Sequence, residues 1–259
     1  MNASDRHLLR VLSCIDLTNL NEDDAPPSID ALCQSAASAP APPAAVCVYP
    51  EYVWMARQRL DASGLTQVAV ASVANFPEGG DDAARAAREC RRLRSVGVDE
   101  IDVVLPYRAL LAGDVARYRA VAGASREAAG ACRLKCILET GELQSADLIE
   151  QAAEIALECG ADFLKTSTGK VKVNASIGAA EILLNAIARS QRPCGFKAAG
   201  GIRSIDEAER YVSAVCRVLG DQAFNPARFR IGASALFERV ADAIVGQSGR
   251  EEESGERRY

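Results

Sequence analysis

Short apolar runs alternate along the chain with longer stretches in which apolar residues recur at helical spacing. The short runs predict eight strands, at residues 11–17, 45–49, 68–75, 100–105, 134–139, 163–167, 195–199 and 228–232. In the stretches between them, apolar residues recur three and four positions apart, as at Leu148, Ala152, Ile155 and Cys159. The pattern therefore predicts eight strand–helix units in succession.

Eight such units joined by parallel crossovers predict an α/β fold, a single closed (β/α)8 TIM barrel. The rival fold is an open doubly wound sheet, which would typically carry a Gly-x-Gly-x-x-Gly turn after its first strand. Here the residues Asp-Leu-Thr-Asn-Leu stand at 16–20 instead. Residues 1–246 are therefore expected to form one catalytic barrel domain, and the charged, polar residues 247–259 a flexible C-terminal tail.

Residues 161–174 contain a strand that ends in a charged side chain. The apolar pair Phe163-Leu164 leads directly into Lys165, followed by a hydroxyl-rich turn and Gly169. Because alternate residues of a strand share a face, Lys165 is expected to point into the barrel and Leu164 toward a covering helix. A buried ammonium is costly, so Lys165 is neutralised, paired or chemically active. A lysine that merely reaches solvent from the strand end is the alternative.

Further polar residues occupy inward positions on other strands, and barrel enzymes carry their catalytic groups at the carboxyl ends of strands. They are Asp16 and Thr18 on strand one, Asp102 on strand four, Lys135 and Glu139 on strand five, and Lys197 on strand seven. With Lys165 there are three lysines and three carboxylates, so each buried charge can find a partner. These pairs could simply line the barrel, but their convergence favours a reactive site.

Two neighbouring lysines indicate amine chemistry. Repulsion from a second lysine nearby is expected to lower the pKa of a nucleophilic lysine to about 7–8, which leaves part of it as free amine at neutral pH. A free amine attacks a carbonyl carbon to form a Schiff base, whose protonated imine accepts electrons during carbon–carbon cleavage or formation. His7 is the only histidine in the chain, so acid–base chemistry must fall to lysine, carboxylate, tyrosine or cysteine.

Three glycine-bearing turns follow strands six, seven and eight, and barrels commonly bind phosphate in this region. Glycine lets backbone amides approach an anion closely, and three such turns on adjacent strands favour a site over ordinary turns. The predicted phosphate-binding residues are Thr168, Gly169, Lys170, Gly200, Gly201, Arg203, Gly232 and Ser234.

The composition excludes several classes of protein but adds no candidate function. The formal net charge is −5, so no basic face indicates binding to nucleic acid or to an anionic membrane. The N-terminal apolar run is interrupted by Arg10 and Asp16, and no stretch is long enough to predict a membrane span. Nine scattered cysteines without a CxxC pair predict reduced thiols and a cytoplasmic protein rather than a disulfide framework.

Four segments carry a resemblance to a known family. They are Asp-Val-Val-Leu-Pro-Tyr-Arg at 102–108, Glu-Thr-Gly-Glu-Leu at 139–143, Phe-Leu-Lys-Thr-Ser-Thr-Gly-Lys at 163–170 and Gly-Phe-Lys-Ala-Ala-Gly-Gly-Ile-Arg at 195–203. From about residue 11 to residue 246 the chain closely resembles the deoxyribose-phosphate aldolases. One departure is Ser234-Ala235, where some relatives carry two serines; another is Ala198, where some carry proline.

The resemblance implies a class I aldolase that needs no metal and no cofactor. Such an enzyme cleaves 2-deoxy-D-ribose 5-phosphate reversibly to acetaldehyde and D-glyceraldehyde 3-phosphate. By the matching motifs, Lys165 forms the Schiff base and Lys197 activates it. Asp102 works with Lys197 and a water in proton transfer, and Thr18 helps to hold that water. In some members a C-terminal tyrosine enters the site, so Tyr259 is expected to assist proton exchange at C2 of the substrate.

The resemblance also implies a homodimer that acts in deoxyribonucleotide and deoxynucleoside catabolism. Its partners would be a small sugar phosphate and aldehydes, with no nucleic acid and no membrane. The residues themselves leave other functions open. A transaldolase or another sugar-phosphate aldolase shares the lysine and the phosphate turns. A sugar-phosphate isomerase would need a pair of glutamate or cysteine residues as catalytic bases rather than two lysines. A phosphate-ligand sensor would not need two inward lysines.

Overall fold

The computed structural model describes residues 3–255 and has a closed barrel of eight parallel strands. The strands follow one another around the barrel in chain order, and the last pairs with the first. They are β1 (Ile15–Thr18), β2 (Ala45–Val48), β3 (Ala69–Ala74), β4 (Glu100–Val104), β5 (Arg133–Ile137), β6 (Phe163–Lys165), β7 (Gly195–Ala199) and β8 (Phe229–Ala233). The predicted single (β/α)8 barrel is confirmed.

Helices surround the barrel, and every strand is followed by at least one. In chain order they are α1 (Ala3–Ser13), α2 (Pro26–Ser38), α3 (Val53–Ala62), α4 (Ala83–Ser95), α5 (Tyr107–Leu111), α6 (Val115–Ala129), α7 (Thr140–Leu143), α8 (Ala146–Glu158), α9 (Ile177–Ser190), α10 (Ile205–Leu219) and α11 (Ala235–Gly255). Helix α1 precedes the barrel, and the short helices α5 and α7 lie in the loops after β4 and β5. Within the described chain, no helix is long and apolar enough to cross a membrane.

Helix α10 shows how local sequence sets the element boundaries. The Ser204 hydroxyl accepts a hydrogen bond from the backbone N–H of Glu207, and the Glu207 carboxylate accepts one from the backbone N–H of Ser204. This capping box satisfies two N–H groups that the helix itself leaves without partners. The helix ends at Gly220, whose φ of +84° is a conformation that glycine adopts without steric cost.

The prediction of a first strand over residues 11–17 is partly wrong. Helix α1 occupies the beginning of this segment, and β1 starts only at Ile15. Val11 and Leu12 are fully buried, and with Leu8 they form the core-facing side of α1. A short apolar run fits the end of a buried helix as well as a buried strand, so the pattern alone did not distinguish them.

Helix α11 extends into the segment predicted as a tail. It is continuous from Ala235 to Gly255 and so passes the predicted domain boundary at residue 246. Polarity suggested a flexible tail from residue 247, but Glu and Arg residues, which are frequent there, are also good helix formers. Residues 256–259 lie outside the described part of the chain, and the division into barrel domain and flexible tail stays a prediction.

The apolar core lies mainly outside the barrel, between the strands and the surrounding helices. Leu164 on β6, Phe196 on β7 and Val240 on α11 are all buried there. Leu164 therefore points away from the barrel axis, as the alternation of strand residues predicts. The barrel interior contains a smaller apolar cluster beside β1, β2 and β3, and elsewhere a set of buried charges.

Candidate active site

Lys165 on β6 and Lys197 on β7 are register partners on adjacent strands. Register partners lie side by side, so both lysine side chains enter the barrel at one level. Lys197 is completely buried, and Lys165 retains 3% exposure. The structure thus brings together the two lysines that the strand pattern places on inward faces.

Asp102 on β4 joins these two lysines. Its Oδ2 accepts a hydrogen bond from Nζ of Lys165 and another from Nζ of Lys197, each at 2.8 Å. Its Oδ1 accepts a third from Nζ of Lys135 at 2.7 Å. The carboxylate is fully buried, so these bonds compensate the loss of its hydration. One side chain therefore fixes the positions of three amine groups.

A second layer of charges continues from Lys135 toward the N-terminal ends of the strands. Nζ of Lys135 lies 2.8 Å from Oε2 of Glu100 and 3.0 Å from Oδ2 of Asp16. The Arg230 guanidinium donates to Oδ1 of Asp16 at 2.5 Å and to Oε1 of Glu100 at 2.9 Å. Lys197 also reaches this layer, since its Nζ donates to Oδ2 of Asp16 at 2.5 Å. The buried charges form one continuous network.

Glu100 and Arg230 were missed by sequence reasoning, although both are almost completely buried. Each stands near the beginning of its strand, where a charged residue is easily interpreted as an exposed end. A signal was present: Glu100 lies two residues before Asp102, and Arg230 two residues before Gly232, so each shares an inward face.

Lys165 differs from the other buried lysines in its pKa. Burial, which penalises the charged ammonium, lowers the pKa of Lys165; Asp102 opposes this effect and Lys197 adds to it. For Lys135 and Lys197, burial also acts downward, but the surrounding carboxylates outweigh it and raise the pKa. Repulsion from Lys197 therefore contributes as expected, but burial is the larger cause. The free amine of Lys165 is correspondingly favoured.

The carboxylates of Asp16 and Asp102 remain ionised. Burial acts to raise their pKa values, but attraction first to Lys135 and then to the other nearby cations lowers both below the ordinary range. At neutral pH, Asp102 is consequently an anion that accepts hydrogen bonds and orients the amines, not a carboxylic acid.

Glu139 takes a different place from the one expected. It was expected on strand five as a counter-ion, but it lies beyond β5 with a φ of +53°, uncommon for a residue other than glycine. Its buried carboxylate accepts hydrogen bonds from the Thr168 backbone N–H at 3.2 and 3.3 Å, and Thr168 Oγ1 accepts one from the Lys170 N–H at 3.0 Å. Burial raises the pKa of Glu139. Glu139 therefore shapes the turn after β6.

The glycine turns after β6 and β7 approach each other closely. A methyl group on Gly169 would lie 3.9 Å from Cα of Gly200, and one on Gly200 would lie 2.5 Å from Oδ1 of Asn174. Gly169, Gly200 and Gly201 have φ values of +84°, +90° and +85°. Both the space and the backbone conformation therefore favour glycine, and its small size leaves the amides accessible to an anion.

Two cavities flank this region. Gly200 and Gly201 line one of about 410 Å³. Thr18 and Ser234 line another of about 300 Å³. Thr18 is half-buried, and its Oγ1 donates to the backbone oxygen of Asp16 at 2.8 Å. Both cavities lie between the loops and the surrounding helices, and neither is lined by Lys165 or Lys197.

Gly232 and Arg203 have contacts that the sequence did not indicate. A methyl group on Gly232 would lie 3.1 Å from Cε of Lys197, so this glycine makes room for the lysine side chain. Arg203 is exposed, and its backbone N–H donates to the Glu207 carboxylate at 2.8 Å. Tyr259 lies outside the described residues, and its expected place in the site stays a prediction.

The arrangement is suited to carbonyl chemistry. It places an amine of lowered pKa beside a carboxylate of lowered pKa and a second amine of raised pKa, at the C-terminal end of the barrel. Within residues 3–255, no group of three or more His, Cys, Asp or Glu side chains is placed to hold a metal ion. A barrel with such a lysine centre is typical of enzymes that act through a Schiff base, a class that includes the aldolases.

Comparison with known proteins specifies the family. Residues 10–234 match the family described as DeoC/LacD family aldolase. This match extends over most of the chain, and the chain belongs to that family.

Solved structures agree with this assignment. A Coccidioides immitis protein named as a candidate deoxyribose-phosphate aldolase is 33% identical, with a TM-score of 0.77 over 90% of this chain and 86% of that one. A Toxoplasma gondii ME49 protein named in the same way is 25% identical, with a TM-score of 0.86 over 94% and 96% of the two chains. The tetrameric deoxyribose phosphate aldolase of Aeropyrum pernix, at 24% identity and a TM-score of 0.72 over 95% and 99%, shares the fold.

Proposed function

We propose that this enzyme cleaves 2-deoxy-D-ribose 5-phosphate reversibly to acetaldehyde and D-glyceraldehyde 3-phosphate through a Schiff base on Lys165. The observation that carries the proposal is the buried Nζ of Lys165, which has a lowered pKa and donates to Asp102. The relatives named as candidate deoxyribose-phosphate aldolases support the choice of substrate.

The reaction begins when Nζ of Lys165 attacks the C1 aldehyde of the open-chain sugar, and loss of water leaves a protonated imine. Removal of the proton from the C3 hydroxyl then breaks the C2–C3 bond. Its electron pair becomes the C1=C2 bond of an enamine, while the imine nitrogen accepts the π electrons. Glyceraldehyde 3-phosphate departs. Protonation of C2 and hydrolysis release acetaldehyde and regenerate the amine.

Asp102, Lys197 and a water molecule move the protons in this scheme, with Thr18 helping to hold the water. Two features support these roles. Oδ2 of Asp102 contacts the amines of both Lys165 and Lys197, so it lies beside the atom that becomes the imine nitrogen. The raised pKa of Lys197 keeps this residue an ammonium, a hydrogen-bond donor next to the reacting carbon chain.

The substrate phosphate is held by the glycine turns after β6, β7 and β8. The close approach of Gly169 to Gly200 supports this, because it gathers backbone amides at one point. The exposed side chains of Lys170 and Arg203 add attraction for a doubly charged anion. The proposed ligands are Thr168, Gly169, Lys170, Gly200, Gly201, Arg203, Gly232 and Ser234.

Reductive trapping tests the proposal. With deoxyribose 5-phosphate and borohydride, we expect a stable adduct on Lys165, mapped by mass spectrometry of the peptides. The exposed Lys172 of the same loop region serves as the internal control, since an unselective amine reaction would label it as well. An adduct on Lys197 or Lys170 would contradict the assignment. Cleavage that yields a donor other than acetaldehyde would indicate a transaldolase or another sugar-phosphate aldolase.

Tyr259 is proposed to assist proton exchange at C2. Its phenolic hydroxyl is the only feature that distinguishes it from phenylalanine, so Tyr259→Phe and deletion of Tyr259 separate the hydroxyl from the ring. We expect both variants to turn over substrate several-fold more slowly, in the range that a general acid or base contributes, with unchanged thermal stability. Solvent-deuterium incorporation into acetaldehyde is the measurement. Wild-type incorporation by the deletion variant would remove Tyr259 from the mechanism.

We further propose that the enzyme is cytoplasmic, forms a homodimer and acts in deoxynucleoside breakdown. All nine cysteines are free thiols, which supports a reducing compartment. The dimer and the catabolic role rest on the family resemblance. Sedimentation of the purified protein measures the first, and growth of a deletion strain on deoxynucleosides measures the second.

A further inference from the structure

Arg230 and Glu100 form a buried ion pair beneath the proposed catalytic lysine, and the mechanism above does not use it. Arg230 is 3% exposed and Glu100 is 1% exposed. The guanidinium contacts both carboxylate oxygens of Glu100, at 2.9 and 3.2 Å, and Oδ1 of Asp16 at 2.5 Å. Neither residue contacts Lys165, because Lys135, Asp16 and Asp102 lie between them. Any effect on the amine must therefore act through the network.

The network has nearly equal numbers of opposite charges. Its anions are Asp16, Glu100 and Asp102, and its cations other than Lys165 are Lys135, Lys197 and Arg230. These six buried charges cancel; Arg133, which also contacts Glu100, is half-exposed, so solvent screens its charge. Lys165 is then the surplus cation, bonded to a carboxylate that already serves two other amines. The buried network is therefore electrically neutral when Lys165 is a free amine.

Arg230 is the cation of the set that cannot lose its proton, because a guanidinium stays charged at any pH the protein tolerates. Glu100 is the anion that forms ion pairs with Arg230, Lys135 and the half-exposed Arg133, near the N-terminal ends of the strands. The pair is therefore well placed to fix the net charge.

Other titratable groups also face Lys165. Asp102 approaches from β4, Lys197 from β7, the Cys47 thiol from β2 and Glu139 from the end of β5. Burial raises the pKa of Cys47 to about 11, so this thiol is neutral at neutral pH. Glu139 is engaged by the Thr168 backbone. These groups are the same in every variant considered below, so they do not change the comparison.

We propose that Arg230 and Glu100 are positioning residues. By fixing the net charge of the buried network on the N-terminal side of the barrel, they determine whether Lys165 is protonated. The inference rests on the proposed function, since it concerns the amine that would form the Schiff base. An ion pair on the N-terminal side of the barrel thus influences the reactivity of an amine at the C-terminal side.

The sign of the effect follows from the charge count. Arg230→Gln leaves the network one unit negative, which favours the proton on Lys165 and raises its pKa. The acid limb of kcat/KM then moves to higher pH. Glu100→Gln leaves the network one unit positive and moves the limb to lower pH. For unit charges about 10 Å apart at an effective dielectric of about 20, each shift is about one pH unit.

The experiment compares Arg230→Gln, Glu100→Gln, the double variant and Arg230→Lys. Two readouts are used: the pH profile of kcat/KM for deoxyribose 5-phosphate, and competitive acetylation of Lys165 as a function of pH, followed by peptide mass spectrometry without substrate. We expect opposite shifts in the two single variants, a profile near wild type in the double variant, and little shift in Arg230→Lys, which keeps the charge. Thermal unfolding confirms that each variant is folded.

Shifts of the same sign in both single variants, or a double variant that is no closer to wild type than either, would overturn the inference. If Arg230→Gln does not fold, the acid-ward shift of Glu100→Gln decides the question alone. Failure of the proposed function looks different: wild-type protein would not cleave the substrate, while acetylation would still report the pKa of Lys165 in every variant.

Discussion

Replacing Lys165 with methionine lowers turnover of deoxyribose 5-phosphate by about 10⁴-fold or more and abolishes trapping with borohydride. The methionine keeps an unbranched apolar side chain of similar length but lacks the amine, so no Schiff base forms and nothing accepts the electrons of the C2–C3 bond. Lys165→Ala gives the same loss. Steady-state kinetics and adduct mass measure the two effects.

The same variant should unfold at nearly the wild-type temperature. Asp102 keeps its hydrogen bonds to Lys135 and Lys197, and the substitution removes only the cation that the network does not need for neutrality. Lys172→Met, an exposed lysine in the loop after β6, is the matched control and should retain turnover. Substantial residual cleavage by Lys165→Met, without an adduct elsewhere, would show that another group carries the chemistry.

Lys197→Leu has the second largest expected effect, and it combines lost activity with lost stability. Lys197 repels a proton on Lys165 and shares Oδ2 of Asp102 with it. Without Lys197, Lys165 no longer shares Oδ2 of Asp102 and loses a repelling charge, so the pKa of Lys165 rises and the activity profile moves to higher pH. Asp16 and Asp102 each lose a buried counter-ion, which costs about 3–5 kcal/mol of unfolding free energy.

Asp102→Asn tests the shared carboxylate separately from Lys197. It removes the anion on which three amines converge, and we expect kcat to fall by about 10²–10⁴-fold with a smaller change in KM. Denaturant unfolding and pH–rate profiles measure both variants. A Lys197→Leu enzyme with an unshifted profile, or an Asp102→Asn enzyme with wild-type kcat, would contradict the roles given to these residues.

The period of two along the strands was enough to predict which charged side chains converge inside the barrel. It placed Lys165 and Lys197 on inward faces, and they are register partners in the barrel. It placed Asp102 inward as well, and this carboxylate contacts both amines. Such a prediction succeeds because side-chain alternation is a local property of the backbone, and a closed barrel has only one interior.

The alternation of side chains along a strand also holds at the strand beginnings, where two inward charged residues were missed. Glu100 and Arg230 alternate correctly with residues already assigned inward, but charged residues at strand ends usually face solvent, and neither was selected. Their burial depends on partners far away in the sequence, Asp16 on β1 and Lys135 on β5. Neither partnership has a local signature.

Glu139 and Gly232 illustrate a second limit. Counting residues along strand five placed Glu139 among the lysines, whereas the left-handed turn at this residue carries its carboxylate to the Thr168 backbone. The sequence predicts that Gly232 offers its amide to phosphate, and the structure adds that its missing side chain leaves room for Lys197. Loop direction and close packing between strands are set by tertiary contacts, which periodicity does not encode.

The sequence by itself determined the alternation of strands and helices, the closed barrel that follows from eight such units, and the faces on which Lys165, Lys197 and Asp102 lie. These follow from backbone geometry and from the cost of exposing apolar surface. Only the tertiary structure decided that burial, more than the charge of Lys197, lowers the pKa of Lys165, and how three carboxylates are divided among four cations from different strands. Burial and pairing energies are sums over neighbours in space, and the chain order does not contain them.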